Sequence, residues 1–147
     1  MDINQGNFLY TITKIRQRLF GFLENELLKN NVQDIAPSYG DILYILGNHG
    51  PLSLQEIARY TSKDKSTVSS VIKKLEESGY VTKVKAEGDA RFVKIKLTAK
   101  AKKIKSILMA ISNDMNEMLF KGLSDEEKDN LFYALSKIYN NINPAQG

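Results

Sequence analysis

Residues 53–98 read SLQEIARYTSKDKSTVSSVIKKLEESGYVTKVKAEGDARFVKIKLT, and three successive patterns in them decide the architecture. In the middle, Val68, Val71, Ile72 and Leu75 recur at i, i+3, i+4 and i+7, the spacing of one face of a helix. Asp64 stands where an N-cap belongs, Ser66–Ser78 continues the helix, and Gly79 closes it. The opposite face carries Ser66, Ser69, Ser70, Lys73 and Glu77, with Thr67 and Lys74 on its flank. Upstream, Ser53-Leu54-Gln55-Glu56 is a capping box, in which Ser53 and Glu56 satisfy each other's backbone donors. Leu54, Ile57, Ala58 and Tyr60 are expected to face inward from that helix, and Thr61–Asp64 is a short polar connection. Downstream, Val81–Lys85 reads as a strand and Ala86–Ala90 as a tip. Arg91–Leu97 then alternates, with Val93, Ile95 and Leu97 on one face and Phe92, Lys94 and Lys96 on the other.

Two short amphipathic helices, a connection of about four residues and a basic hairpin make a winged helix-turn-helix, a mainly α shape with a small β wing. Such a shape presents its second helix to the major groove of double-stranded DNA. The residues divide by chemistry. Ser66, Thr67, Ser69 and Ser70 are short hydroxyls that let a backbone approach base edges or phosphates. Lys63, Lys65, Lys73 and Lys74 are placed to neutralise phosphate, with Lys85, Lys94 and Lys96 as flanking contacts. Arg91 suits a minor groove, where a guanidinium meets strong negative potential. Asp89, two residues away, can orient it by a charge-assisted hydrogen bond. The plainer readings are a solvated helix face for the polar residues and a turn residue for Asp89.

Three segments resemble the multiple-antibiotic-resistance regulator (MarR) family of bacterial transcription factors. Leu52–Ala58 is similar to that family's first helix-turn-helix element. Ser66–Ser69 with Leu75–Val81 is similar to its recognition helix and exit, and Asp89-x-Arg91 followed by Leu97-Thr98 to its wing signature. The chain departs from the family in the wing, where Gly88 and Ala90 stand at positions that often hold arginine. The resemblance implies one MarR-like domain over 1–147, with a DNA-binding lobe at 36–98 and dimerisation helices at 5–30 and 99–142. It also implies a homodimer and a small, often aromatic or anionic, effector held between those helices and the DNA lobes. Aromatic residues available to wall such a site are Phe8, Tyr10, Phe20, Phe22, Tyr39 and Tyr44.

Charge placement agrees with this reading. The chain has 147 residues and a formal net charge of +4, unevenly spread. Residues 51–110 hold 14 Lys/Arg against 6 Asp/Glu, whereas 1–50 carry a net −1 and 111–147 a net −3. The positive field is therefore concentrated on the module that would meet phosphate. There is no cysteine, so disulfides, thiolate metal sites and the cysteine-based oxidant sensing of some MarR members are excluded. No apolar run approaches the roughly 18 residues of a membrane span, and no signal peptide is legible, so no membrane partner and a cytoplasmic protein are expected.

Outside the module the chain reads as helices. Phe8–Lys29 carries Ile12, Ile15, Leu19, Phe22, Leu23 and Leu27 in a stripe. A second helix is expected to start at Ser38, with Asp41 completing a box-like pair, and to stop at His49-Gly50-Pro51. His49, the sole histidine, reads as a cap or surface residue, because a metal site needs several ligands. Ala99 to about Lys121 presents Ile104, Ile107, Leu108, Ile111, Met115, Met118 and Leu119 on one face. Lys100, Lys102, Lys103 and Lys105 in its first turns read as a solvated face rather than phosphate contacts. Ser124–Glu127 forms another capping box, and the last helix runs to about Asn141 with Leu131, Phe132, Leu135, Ile138, Tyr139 and Ile142 in its stripe. Pro144 and the residues after it are expected to be loosely held.

The expected function is that of a dimeric, sequence-specific transcriptional regulator, a repressor acting on an inverted repeat. An enzyme is disfavoured, since there is no Gly-rich phosphate loop, no metal-ligand cluster, no cofactor signature and one histidine. The alternative within the same fold is a module for non-specific DNA binding or protein contacts.

Overall fold

Asp64 and Gly79 bracket the helix on which the rest of the lobe is built. In a computed structural model describing residues 2–142, α4 spans Lys65–Glu77. Asp64 sits in extended backbone and its carboxylate accepts from the Thr67 amide, so it fills the cap position. At the far end Gly79 takes φ +79°, which an L side chain resists. The Gly79 amide donates to Glu76 O and the Tyr80 amide to Leu75 O, the paired bonds of a Schellman stop. Between these ends Val68, Ile72 and Leu75 are buried and Val71 is half-buried, while the serines and lysines of the other face are exposed.

Two shorter helices lead directly into α4. Helix α2 spans Gly40–His49 and α3 spans Leu54–Thr61. The Ser53–Glu56 box is present in both directions, at 2.7 and 3.2 Å. Ile57 is fully buried, with Leu54 and Ala58 half-buried beside it. Tyr60 is not inward-facing: it is exposed and its ring stacks on His49 at 4.5 Å. Ser38 does not start α2 either. A turn of 3-10 helix over Pro37–Tyr39 comes first, with proline at its opening position, and Tyr39 caps α2 without a side-chain bond. The α3–α4 connection lacks the usual glycine, and Ser62 supplies the left-handed residue there, with φ +53°.

The wing is antiparallel, with β1 at Val81–Ala86 and β2 at Asp89–Leu97. Leu52 adds a bridge by exchanging backbone bonds with Ile95 at 2.7 and 3.0 Å, which ties the α2–α3 connection to the sheet. The tip is shorter than the sequence pattern predicts. Ala86 pairs with Asp89, leaving Glu87-Gly88 as a two-residue turn with Gly88 at φ +85°. The register then jumps, because Lys85 pairs with Val93 while the next residue, Ala86, pairs with Asp89. Ile95 is buried as the alternation predicts, but Val93 is exposed, since the wing extends past the core there.

Flanking helices complete the chain. Helix α1 spans Phe8–Lys29, α5 Ala99–Phe120 and α6 Asp125–Ile142. The chain divides after Ser112 into two compact units. In the first, Leu27, Ile42, Leu46, Ile57, Val68 and Leu75 belong to one buried cluster, with Ala101 and Ile111 of α5. In the second, the Ser124–Glu127 box opens α6 with both bonds present. The loose tail expected from Pro144 lies outside the described residues.

Candidate nucleic-acid interface

The exposed face of α4 starts with hydroxyls held by its own cap. Ser66 donates to Asp64 Oδ1 at 2.5 Å and Thr67 donates to Oδ2 at 2.7 Å, beside the amide bond from Thr67 to Oδ1 at 2.8 Å. These three donors, the Ser66 hydroxyl foremost, hold the Asp64 carboxyl far below the usual carboxylate range. Ser69 and Ser70 lie exposed one turn on. Lys65, Lys73 and Lys74 are exposed too, and among the described residues none is engaged in a salt bridge. Lys63 differs, being half-buried and ion-paired with Asp41 of α2.

The wing presents one oriented guanidinium. Asp89 opens the register jump and accepts from Arg91 three times: Nε at 3.0 Å, Nη2 at 2.8 Å and the backbone amide at 3.0 Å. Hydrogen bonds from the Arg91 side chain, then its amide, lower the Asp89 carboxyl, and the pairing raises Arg91. The Arg91 side chain is nonetheless 87% exposed, so the fork is aimed without being covered. Lys85 is exposed on β1. Lys94 is half-buried, and its charge helps to lower the Glu56 carboxyl after the hydrogen bonds from Ser53. Lys96 is exposed. The structure thus places one group of hydroxyls and lysines along α4 and a second group on the wing, with Arg91 at its outer end.

One cluster had no signal in the sequence pattern. Tyr80, buried just past the Schellman stop, donates its hydroxyl to Asp34 Oδ1 at 2.6 Å. Lys100 at the start of α5 bonds Asp34 Oδ2 at 2.9 Å and Ser78 O at 2.6 Å, and lies 4.3 Å from the centre of the Tyr80 ring. Thr98 donates to Gly79 O at 2.6 Å and accepts the Ala101 amide at 3.3 Å, so it caps α5 while holding the exit of α4. Lys100 is thus on an exposed face, as expected, but it is tied to Asp34 and Ser78 there. These partners are 46 and 66 residues apart in sequence, beyond the reach of local spacing.

The cluster predicts an acid response. Burial opposes ionisation of Asp34, but hydrogen bonds from Tyr80 and Lys100 outweigh it and lower its carboxyl. Burial, then the Asp34 carboxylate, pushes the Tyr80 phenol well up. A carboxyl lowered by folding leaves the unfolded chain with more bound protons, so stability rises with pH across that window. The contribution is complete above about pH 5 and is lost below about pH 4, through the lowered value. Asp34→Asn is expected to narrow the difference in denaturant midpoint between pH 7 and pH 3. An unchanged difference would remove Asp34 from the acid response.

Among the described residues there is no group of three or more His, Cys, Asp or Glu able to hold a metal ion. No helix among them is long and apolar enough to cross a membrane.

Comparison with known proteins supplies the family. A sequence model described as the MarR family matches residues 33–91. The transcriptional regulator SarZ of Staphylococcus haemolyticus is 31% identical over 100 residues, 68% of this chain and 67% of SarZ. SarZ of Staphylococcus epidermidis is 30% identical over 120 residues, 77% of this chain and 78% of that one. Among solved structures, the complex of S. aureus MepR with DNA superimposes with a TM-score of 0.83, covering 95% of this chain and 99% of MepR at 22% identity.

Proposed function

The chain belongs to the MarR family of winged helix-turn-helix transcriptional regulators, and from that premise we propose that it binds an inverted-repeat operator as a homodimer and represses transcription there. The observation that carries the reading is the pairing of an α4 face of exposed hydroxyls and lysines with a wing guanidinium already aimed by Asp89. In this reading α4 enters the major groove. Ser66, Thr67, Ser69 and Ser70 meet bases or adjacent phosphates, and Lys65, Lys73 and Lys74 meet phosphate. Arg91 enters the flanking minor groove, with Lys85 of β1 and Lys94 and Lys96 of β2 as flanking contacts. Lys63 contributes field rather than a dedicated contact, because Asp41 shares its charge.

The lobe at 36–98 then reads DNA, while the helices at 5–30 and 99–142 pair two copies. In support, Ile12 and Ile15 of α1 and Leu131, Leu135, Ile138 and Ile142 of α6 are exposed apolar residues. Apolar surface left open in rows marks an interaction face. A two-fold pair would set its recognition helices about one DNA turn apart. A small aromatic or anionic effector would release DNA only by binding another lobe spacing more tightly than the operator-bound one.

Arg91→Ala is expected to weaken operator binding roughly 30-fold, about 2 kcal/mol, more than any single lysine change. Lys73→Ala should weaken all duplexes alike and flatten the slope of log affinity against log salt by about one unit. Lys128→Ala on α6 is the control and should leave affinity within about twofold. Titration at two salt concentrations tests all three, and equal losses at Arg91 and Lys128 would refute the wing contact. The non-specific alternative predicts no preferred sequence and a uniform collapse of binding with salt.

A further inference from the structure

We propose that Asp64 is a positioning residue for sequence readout: by taking the protons of both hydroxyls it makes Ser66 and Thr67 acceptor-only groups, so the start of α4 selects a base edge bearing an exocyclic amino group. This rests on the reading of α4 as the major-groove element. The geometry is explicit. Both hydroxyl oxygens lie within 2.7 Å of separate carboxylate oxygens of one residue. An ionised carboxylate accepts only, so each hydroxyl must spend its single donor on it. The lowered Asp64 carboxyl keeps that arrangement throughout the neutral range. What remains on each exposed oxygen is lone-pair capacity.

The consequence follows from the groove. In the major groove adenine shows an N6 amino donor and cytosine an N4 amino donor, whereas guanine O6 and N7 and thymine O4 only accept. An acceptor-only hydroxyl matches the first two and leaves the others facing lone pairs. It equally fails against phosphate oxygens, which also accept. Ser66 and Thr67 are thereby separated from Ser69 and Ser70, for which no side-chain hydrogen bond is recorded among the described residues and whose hydroxyls keep a proton for phosphate or for guanine. The four hydroxyls of one helix face then have two distinct roles, and the cap residue divides them.

The test is selection of duplexes from a random pool by the wild-type chain, then affinities for Asp64→Asn and Thr67→Val on the recovered sequence. Further duplexes exchange the base pair facing the start of α4. Asparagine still caps the helix through its amide oxygen, but its amino group donates, so at least one hydroxyl proton is released. The expected result for wild type is adenine or cytosine on the strand that the start of α4 contacts, so inverting that base pair, which moves the amino donor to the other strand, weakens binding. Asp64→Asn should tolerate guanine or thymine there, with discrimination falling about fivefold, while preferences elsewhere in the site stay fixed. Thr67→Val should flatten the same position without broadening the others. Guanine or thymine at the faced position, or undiminished discrimination in Asp64→Asn, overturns the proposal and leaves the regulator intact. Failure of the wild type to enrich any sequence overturns the regulator reading itself, and this inference falls with it.

Discussion

Replacing Leu135 and Ile138 together by aspartate is expected to lower operator affinity about a thousandfold and to leave a monomer in solution. Both residues lie on α6, where Leu131, Leu135, Ile138 and Ile142 follow one another at helical spacing with relative exposures from 36% to 74%. The helix is well built locally, with a complete capping box and three acids in its first turn. Its apolar row therefore has a cause other than poor folding, and pairing with a second copy supplies one. Two linked half-sites gain effective concentration worth about 10²–10⁴ in affinity, and that factor is lost when the copies separate. Two carboxylates carry a desolvation penalty that a buried helix pair cannot absorb. Sedimentation equilibrium and operator titration read both effects. A variant that remains dimeric, or a monomer that binds as tightly as wild type, would contradict the assignment of α6 to the dimer.

Leu75→Ala is expected to destabilise the lobe by about 3–5 kcal/mol. Leu75 is fully buried on α4 and shares its cluster with Ile42, Ile57, Val68 and Ile95. It also supplies the carbonyl that receives the Tyr80 amide in the Schellman stop. Truncation removes three heavy atoms from a packed site and leaves a cavity whose walls only partly relax. With a domain stability of about 5–15 kcal/mol, that is a large fraction of the total. In urea the midpoint should fall by about 1.5–2.5 M at an unchanged slope near 2 kcal/mol/M. Ser69→Ala on the exposed face should stay within about 0.5 kcal/mol. Equal shifts at the two positions would mean that α4 does not bury the face its periodicity assigns.

Much of this fold was legible because its signals are local. The stripe Val68–Leu75, the Ser53–Glu56 and Ser124–Glu127 boxes and the bounds of α1 each depend on residues within about one turn of one another. What escaped depends on longer range or on backbone irregularity. The five-residue tip that the pattern predicts is cut to two, because strand alternation cannot reveal the register jump between the Lys85–Val93 and Ala86–Asp89 pairs. Ser38 and Asp41 have the spacing of a capping box, but Pro37 opens a tighter turn, and Asp41 pairs with Lys63 instead. Tyr60 keeps an inward helical phase, yet it stacks on His49 in the open. Of the candidate interface, the residue types and the exposed face of α4 were legible. The commitment of the Ser66 and Thr67 protons to Asp64 was not, because spacing alone does not say which partner a hydroxyl takes.

The most direct measurement is recovery of bound duplexes from a random pool by the full chain, followed by titration at two salt concentrations. An inverted repeat with half-sites about one helical turn apart is predicted, preferred over random duplex by a factor on the order of a thousand or more. No enriched sequence, with affinity that collapses equally for every duplex as salt rises, would contradict it.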